Sequence, residues 1–338
     1  MNNTKLEFFL NSSNTKFIKN HTLSYDTYFK MGGEADYFIL PINQEELVSL
    51  IDFLIKEELK YKLIGATSNI LFLNELNYGI IISTKLLTNV FISNVDNTVE
   101  VSSGYSLSDF TRLMLLNGFE GFEGLEGIPG TIGGGIVMNA GAYGYEISQY
   151  IESVKIINDN GKVINLTKDE CNFEFRNSIF KGLSKFIILS AKFKCVCGKR
   201  DSIANKMEIY HIARHSYQEF SYPNLGSFYS VKGDIYKDFY KNNKLLYVFI
   251  KLAIKNPLTK FIMRKRPSNY FLNKMAIKYN ENITYPLSHK SINILVNNGL
   301  VKYEDIEKHI LNMSKIYNNY SIENEIITTN LSEKQSNK

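Results

Sequence analysis

The sequence predicts a mixed fold of α-helices and short β-strands divided among two or three domains. Three observations carry this. The chain has 338 residues, enough for more than one hydrophobic core. Its composition, 44% apolar and 22% charged, is that of an ordinary globular protein. Helical and strand periodicities alternate along it, with no internal repeat. It has no apolar run of the roughly 18 residues that a spanning helix needs. The start, Met1-Asn2-Asn3-Thr4-Lys5, lacks the apolar stretch of a secretion signal, so a cytoplasmic location is expected. Cys171, Cys195 and Cys197 contain no Cys-x-x-Cys pair, and neither a disulfide framework nor a metal site is expected.

The elements follow in order. Ala35–Leu40 reads as a strand, closed by Pro41. Asn43–Lys60 reads as a helix, because Leu47, Leu50, Ile51, Leu54, Ile55 and Leu59 recur at helical spacing. Glu45 and Glu46 sit near its positive end. Tyr61–Ile64 is a short strand, and Ile70–Leu73 another. Tyr78–Ser83, Asn89–Ser93 and Thr98–Ser102 are further strands. Ser106–Asn117 is a helix stopped at Gly118. Ser153–Asn158 and Lys162–Leu166 form a hairpin across Asp159-Asn160-Gly161. Thr167-Lys168-Asp169-Glu170 has the spacing of a capping box. Phe186–Cys195 is an apolar strand. Asp201–Arg214 and the basic stretch Asp234–Asn256 read as helices, and Pro257 ends the second. Ser291–Val296 is a strand. Glu304–Tyr317 is a helix with Ile306, Ile310, Met313 and Ile316 on one side. Ile322–Thr328 is a closing strand, and residues 331–338 form a polar, disordered tail.

The most informative stretch runs from Glu126 to Gly144. Gly127, Gly130, Gly133, Gly134, Gly135, Gly141 and Gly144 lie in it, out of 21 glycines in the chain. Glycine reaches positive φ and lets a ligand approach the backbone. Amides exposed in such a loop form an anion site. A dinucleotide or phosphate held by main chain is therefore expected. The competing reading is a plain connector, but flexible linkers are rich in serine, and this loop carries Ile, Val, Met and Ala. It is neither a G-x-G-x-x-G fingerprint nor a Walker loop. Gly65-Ala66-Thr67-Ser68-Asn69, between two short strands, is a second candidate for hydrogen bonds to a pyrophosphate. Thr27-Tyr28-Phe29-Lys30-Met31-Gly32-Gly33 is a third piece.

In this order, these motifs resemble UDP-N-acetylenolpyruvoylglucosamine reductase, the MurB family, over about residues 16–227 and, less closely, 285–327. Thr27–Gly33 resembles the family's N-terminal Thr-Phe-Gly-Gly element. Gly65–Leu71 resembles its Gly-Ser-Asn-Leu flavin loop, with Thr67 where a second glycine is usual. Gly124–Gly134 and Met138–Gly144 match its long flavin segment. The resemblance implies an α+β fold. A two-part FAD-binding domain of the vanillyl-alcohol-oxidase (PCMH) type would span 1–198, with parts at about 16–84 and 85–198. A C-terminal α+β substrate domain would span 199–330. FAD would lie on Gly65, Ala66, Thr67, Ser68 and Asn69, on Ile128, Pro129, Gly130, Thr131, Gly133 and Gly134, and on Asn139, Gly141 and Ala142. NADPH would supply the hydride, and the substrate would be a nucleotide sugar.

The implied reaction delivers hydride to C3 of an enolpyruvyl ether and a proton to C2. Charge developing at C2 and the carboxylate needs a cation, and the proton needs an acid at short range. Phe173-Glu174-Phe175-Arg176-Asn177-Ser178 resembles the family's aromatic–Arg–x–Ser motif, so Arg176 would contact the enolpyruvyl group, and its guanidinium suits a carboxylate. Tyr222-Pro223-Asn224-Leu225-Gly226-Ser227 resembles the turn that carries the proton-donating serine, Ser227. Ser321–Ile326 resembles the Leu-Glu-Pro-Glu-Val ending, so Glu325 would assist protonation, with Asn324 replacing the proline. The alternatives are a surface salt-bridge arginine, a turn serine and an exposed strand carboxylate.

Departures gather on the substrate side. Tyr229-Ser230-Val231-Lys232 follows Ser227 where the family has Phe-Lys-Asn-Pro. Tyr217 replaces a lysine in Arg214–Glu219. Lys232, His215 or the lysines of an insert at about 229–267 are candidates to replace the missing groups. That insert holds eight Lys and two Arg against two Asp, a net of +8, while the whole chain is +5. The remainder is therefore near −3, and nucleic acid is not an expected partner. Within the insert, Lys237, Lys241, Lys244, Lys251 and Lys255 share a narrow helical face. A core helix with a solvated lysine stripe, an interfacial helix touching anionic lipid and a basic partner-docking helix are all open readings. Functionally, a flavin reductase of another nucleotide-linked sugar and a non-catalytic flavin-binding protein stand beside the first reading.

Overall fold

Two β-sheets organise the first two hundred residues, and their strands follow the apolar runs of the sequence. The computed structural model describes residues 2–182, 186–229, 237, 240, 242–259, 271, 285–291, 293–317 and 325–327, with backbone alone at 2–3, 314–317 and 325–327. The N-terminal part contains α1 (Asn2–Ser12), β1 (Lys16–Thr22), β2 (Glu34–Leu40), α2 (Gln44–Lys56), β3 (Tyr61–Ile64), β4 (Ile70–Phe72) and β5 (Ile80–Ser83). Its sheet has the order β1-β2-β5-β3, with β1 antiparallel to β2 and the other two pairs parallel. Tyr37 and Ile39 pack on one face with Leu47, Leu50, Ile51 and Leu54 of α2. Phe38 turns to the other face, with Phe72 and Tyr78. Each such apolar side chain contributes about 1.5–3 kcal/mol by leaving water.

Helix α2 shows how local chemistry sets an end. Asn43 Oδ1 accepts from Glu46 N at 2.8 Å and caps the start. At the other end Glu58 takes φ 52°. Glu58 N donates to Ile55 O at 3.1 Å, and Leu59 N donates to Leu54 O at 2.9 Å. That is a Schellman ending with glutamate at the left-handed position. The helix therefore stops at Lys56 and not at Lys60. Helix α1 and strand β1 were not expected from the sequence; Leu6 and Leu10 of α1 are fully buried beside α2.

The second sheet is antiparallel, with the order β12-β11-β13-β7-β6. Its strands are β6 (Val90–Ser93), β7 (Thr98–Ser102), β11 (Ile151–Ile157), β12 (Val163–Thr167) and β13 (Ile187–Lys194). Between them run α3 (Leu107–Asn117), β8 (Phe119–Glu120), α4 (Ile132–Val137), β9 (Gly141–Ala142) and β10 (Tyr145–Glu146), and β14 (Val196–Cys197) follows. Ser106 caps α3, and Gly118 at φ 70° ends it. Phe110, Phe122 and Phe193 fill the core under this sheet. The two sheets share apolar contacts, since Ile157, Ile187 and Leu189 pack with α2. Thr167 and Glu170 bond as a capping box should, but only a turn follows.

The remaining elements are α5 (Arg200–His215), α6 (Lys244–Lys255), α7 (Tyr303–Tyr317) and β15 (Glu325–Ile327). Ile306 and Met313 of α7 pack with Phe29, Met31, Leu71, Leu73, Leu225 and Phe228. Asn297 Nδ2 donates to Phe29 O at 2.9 Å and to Lys30 O at 3.2 Å. The chain thus returns onto the Thr27–Gly33 element, and β15 runs parallel to β4 with Glu325 opposite Ile70. Two expectations are corrected here. The basic helix does not run unbroken from Asp234, because Asn243 at φ −137° caps a helix that starts at Lys244. The described residues of 291–296 make single bridges, Leu295 with Leu287 and Val296 with Asn224, and no strand; Asn293 instead turns to bond the Ser227 segment. Lys232, Lys241 and residues 322–324 and 328–338 lie outside the described residues.

Candidate functional site

The first cleft lies where the two loops meet. A Cβ on Gly65 would fall 2.5 Å from Thr131 Oγ1, so the absence of a side chain is what lets the loops touch. Ser68 Oγ donates to Pro129 O at 2.7 Å. Thr67, at the family's glycine position, does adopt positive φ, 57°. Its Oγ1 accepts from Tyr28 N at 2.8 Å and so ties in the third motif. The cleft encloses about 520 Å³, and Tyr28, Ala66, Lys85, Tyr105, Asp109 and Gly130 are among its walls.

Not every glycine here offers its amide. Ile132 N donates to Tyr105 O at 2.8 Å, and Gly133 N to Ser103 O at 2.7 Å. Gly134 N donates to Thr131 Oγ1 at 3.3 Å, which caps α4. The Gly133 and Gly134 amides are thus both bonded within the protein. A Cβ on Gly133 would sit 2.9 Å from Ser103 Cβ.

A second cleft of about 470 Å³ lies at the other end of α4, bounded by Asn139, the 141–146 segment, Phe175 and Arg176. Helix α4 has six residues, about 9 Å of rise. Asn139, at φ 43°, is the hub of this end. Its Nδ2 donates to Glu146 Oε2 at 3.0 Å and to Glu174 O at 2.9 Å. Ser178 Oγ donates to Val137 O at 2.8 Å. Glu174 and Asn177 exchange backbone bonds of 3.0 and 3.2 Å, which puts Phe175 and Arg176 at the tip of a tight turn. Arg176 has φ 54°. A non-glycine residue there carries about 1–3 kcal/mol of strain, held in place by its surroundings.

Arg214 holds this region together. It is buried, with Nε donating to Glu126 O at 3.0 Å and Nη2 to Gly124 O at 3.1 Å. Its guanidinium lies 5.4 Å from the Tyr143 ring centroid. Tyr143, itself at φ 57°, stacks on Tyr210 at 4.7 Å, and its hydroxyl meets that of Tyr217 at 3.0 Å. Tyr217, in place of a lysine, is therefore part of a tyrosine wall. His215 stacks on Phe220 at 4.2 Å.

Ser227 is half-buried on a turn built by asparagines. Asn224 Oδ1 accepts from Gly226 N at 2.9 Å, and its Nδ2 donates to Tyr222 O at 2.8 Å. Asn293 Oδ1 accepts from Tyr229 N at 3.1 Å. Leu225 and Phe228 on either side are buried with Leu71 and Leu73 at β4. Burial pushes the Glu219 carboxyl up, but the Ser221 amide, the Ser288 hydroxyl and Lys290 outweigh it and hold the pKa below its ordinary value. Glu325 lies in β15 beside Ile70, where the Gly65–Asn69 loop ends. The structure thus gathers the Ser227 turn and the Glu325 strand about β4, and sets Arg176 at the far end of α4.

The FAD binding domain family matches residues 35–167. UDP-N-acetylenolpyruvoylglucosamine reductase of Clostridium novyi is 36% identical over 226 residues, covering 67% of this chain and 72% of the relative. The chain belongs to the UDP-N-acetylenolpyruvoylglucosamine reductase family. The Staphylococcus aureus (strain COL) reductase is 34% identical over 214 residues, or 63% of this chain and 69% of that protein. The crystal structure of the Thermus caldophilus reductase (MurB) superposes with a TM-score of 0.66 over 93% of this chain and 99% of its own, at 20% identity, which establishes a shared fold. The α+β, FAD-binding architecture is that of the reductase family.

Each cleft has the volume of a ligand site, and the two sit at opposite ends of one short helix. Lys85, which the sequence reading missed, supplies the cation of the first cleft. It is half-buried beyond the apolar strand β5, and its Nζ donates to Asp26 O at 2.9 Å. Burial lowers its pKa, and an anion bound beside it would raise it again. The signal in the sequence was a lone lysine directly after Ile80-Ile81-Ile82-Ser83-Thr84. Lys85→Met is expected to weaken FAD binding about 10–100-fold, the worth of a hydrogen bond to a charged group. Titration of apoprotein with FAD, followed by flavin fluorescence, measures it; unchanged affinity would place Lys85 outside the cofactor site.

Proposed function

We propose that the chain is an FAD-dependent, NADPH-oxidising reductase that converts UDP-N-acetylglucosamine enolpyruvate to UDP-N-acetylmuramate in peptidoglycan precursor synthesis, in the cytoplasm. The observation that carries this is the strained turn that presents Arg176 at the second cleft, pinned to the flavin segment through Asn139 and Ser178. Bound FAD supplies the hydride path from NADPH to the enolpyruvyl double bond. The Arg176 guanidinium binds the substrate carboxylate and offsets the charge that develops at C2. Ser227 Oγ–H gives the proton to C2, and Glu325 supports that donation. We divide the chain into an FAD-binding part, 1–198, and a substrate part, 199–330.

One observation favours a second reading. Tyr217 sits in a tyrosine wall where the family carries a lysine, so the cationic contact of that residue is absent and a different nucleotide-linked sugar becomes a fitting substrate. Anaerobic half-reactions separate the two. The flavoprotein is reduced with NADPH, and reoxidation is followed after adding UDP-N-acetylglucosamine enolpyruvate. Rapid reoxidation supports the first reading. Reducible flavin that does not respond to this substrate overturns it in favour of the second.

A further inference from the structure

Helix α6 has two apolar faces, and among the described residues only one of them packs into a core cluster. Ile250 is buried, with Tyr247 and Ile254 packed beside it against the cluster of Phe29, Leu71 and Phe228. At 3.6 residues per turn, Leu245, Val248, Phe249 and Leu252 point about 180° away from that face. They are 86, 51, 63 and 65% exposed. Leu258, just past the helix, is 61% exposed. Lys244, Lys251 and Lys255 line the edge between the two faces, with Lys251 leaning 6.0 Å over the Tyr247 ring. No acidic residue occurs from Asn242 to Thr259.

A solvated lysine stripe on a core helix accounts for the lysines and leaves the outer apolar face unexplained. Soluble surfaces seldom group exposed large apolar side chains in this way. A second copy docked on the same face would bring lysine edges together with no carboxylate on the helix to meet them. An anionic bilayer satisfies both features, taking the apolar side chains between its headgroups and the lysines against its phosphates. We propose that α6 is an interfacial anchor that docks this protein on anionic membrane surfaces. The charge distribution agrees, since residues 229–267 carry +8 on a chain whose remainder is near −3. Docking of this kind needs no spanning helix, and among the described residues no helix is long and apolar enough to cross a membrane.

The test is sedimentation of the full-length, FAD-loaded protein with phosphatidylcholine vesicles, with and without roughly one-third phosphatidylglycerol. Binding is expected on the anionic vesicles only, and to fall about ten-fold or more between roughly 0.1 and 0.5 M salt. The exposed pair Phe249→Ser and Leu252→Ser should remove it, and Lys244→Gln with Lys255→Gln should weaken it about ten-fold or more. Flavin content and the reduction of flavin by NADPH should be unchanged in all four substitutions. Absence of binding at low salt, equal binding to both vesicle types, or indifference to the serine pair overturns the proposal. So does a concentration-dependent dimer that the serine pair abolishes without any vesicle binding, which would give the face to a second copy.

Discussion

Replacing Ser227 with Ala is expected to leave flavin reduction by NADPH unchanged and to slow product formation roughly 10²–10⁴-fold, the range of general acid catalysis. The two halves separate because the turn is not held by the serine hydroxyl alone. Asn224 bridges Gly226 and Tyr222, and Asn293 pins Tyr229. Leu225 and Phe228 are buried on both sides. Truncation at Cβ therefore removes the proton donor and leaves its platform in place. Stopped-flow absorbance reads each half-reaction separately. Loss of both halves together would mean that the turn, and not the proton, was the target. An alanine variant that forms product at the normal rate would remove Ser227 from the proton path. Glu325→Gln should show the same pattern to a smaller extent, since it acts through the donation and not as the donor.

The meeting of the 65–69 and 130–134 loops was legible because it depends on glycine and on short-range hydrogen bonds. Gly65 must lack a side chain beside Thr131, and Ser106-to-Gly118 caps a helix by the ordinary rules. Even Thr67, which breaks the glycine pattern, keeps the left-handed backbone and puts its hydroxyl to use on Tyr28. What was not legible depends on distant partners. Arg214 was one residue in a substrate-side motif, but it clamps α5 to Gly124 and Glu126, about ninety positions away in the chain. Lys85 gains meaning only when Ala66, Tyr105 and Gly130 close around it. The apolar residues of helix α1 do not keep to one face, since Phe8 is exposed, and Leu6 and Leu10 become core only against α2. The end of α2 was misplaced because glutamate holds a position where a stop signal is sought as glycine.

His309 should make the protein acid-sensitive well before its carboxylates titrate. It lies on the apolar side of α7, fully buried, edge-on to Phe228 at 4.7 Å and Tyr285 at 5.5 Å. Neither ring nitrogen has a hydrogen-bond partner. Burial pushes its pKa down from 6.5 to about 3. The folded state therefore binds fewer protons than the unfolded state, so this stability is complete above pH 6.5 and is lost as pH falls from 6.5 toward 3. The slope is about 1.4 kcal/mol per pH unit, or roughly 2 kcal/mol between pH 6.5 and 5. Glu219, held below its ordinary pKa, adds its own loss only at lower pH. Urea midpoints at pH 7 and 5 should therefore fall for the native chain and stay nearly level for His309→Leu. That variant should also gain stability at pH 7, because it removes two unpartnered ring nitrogens whose burial costs about 1–3 kcal/mol. Parallel slopes for the two proteins would show that the imidazole is hydrated or paired in solution. The position of His309 against Phe228, next to Ser227 in sequence, gives the slope a functional counterpart. Protonation there would loosen the packing that supports the proton donor, so product formation should fall with pH in step with stability in the native chain and later in His309→Leu.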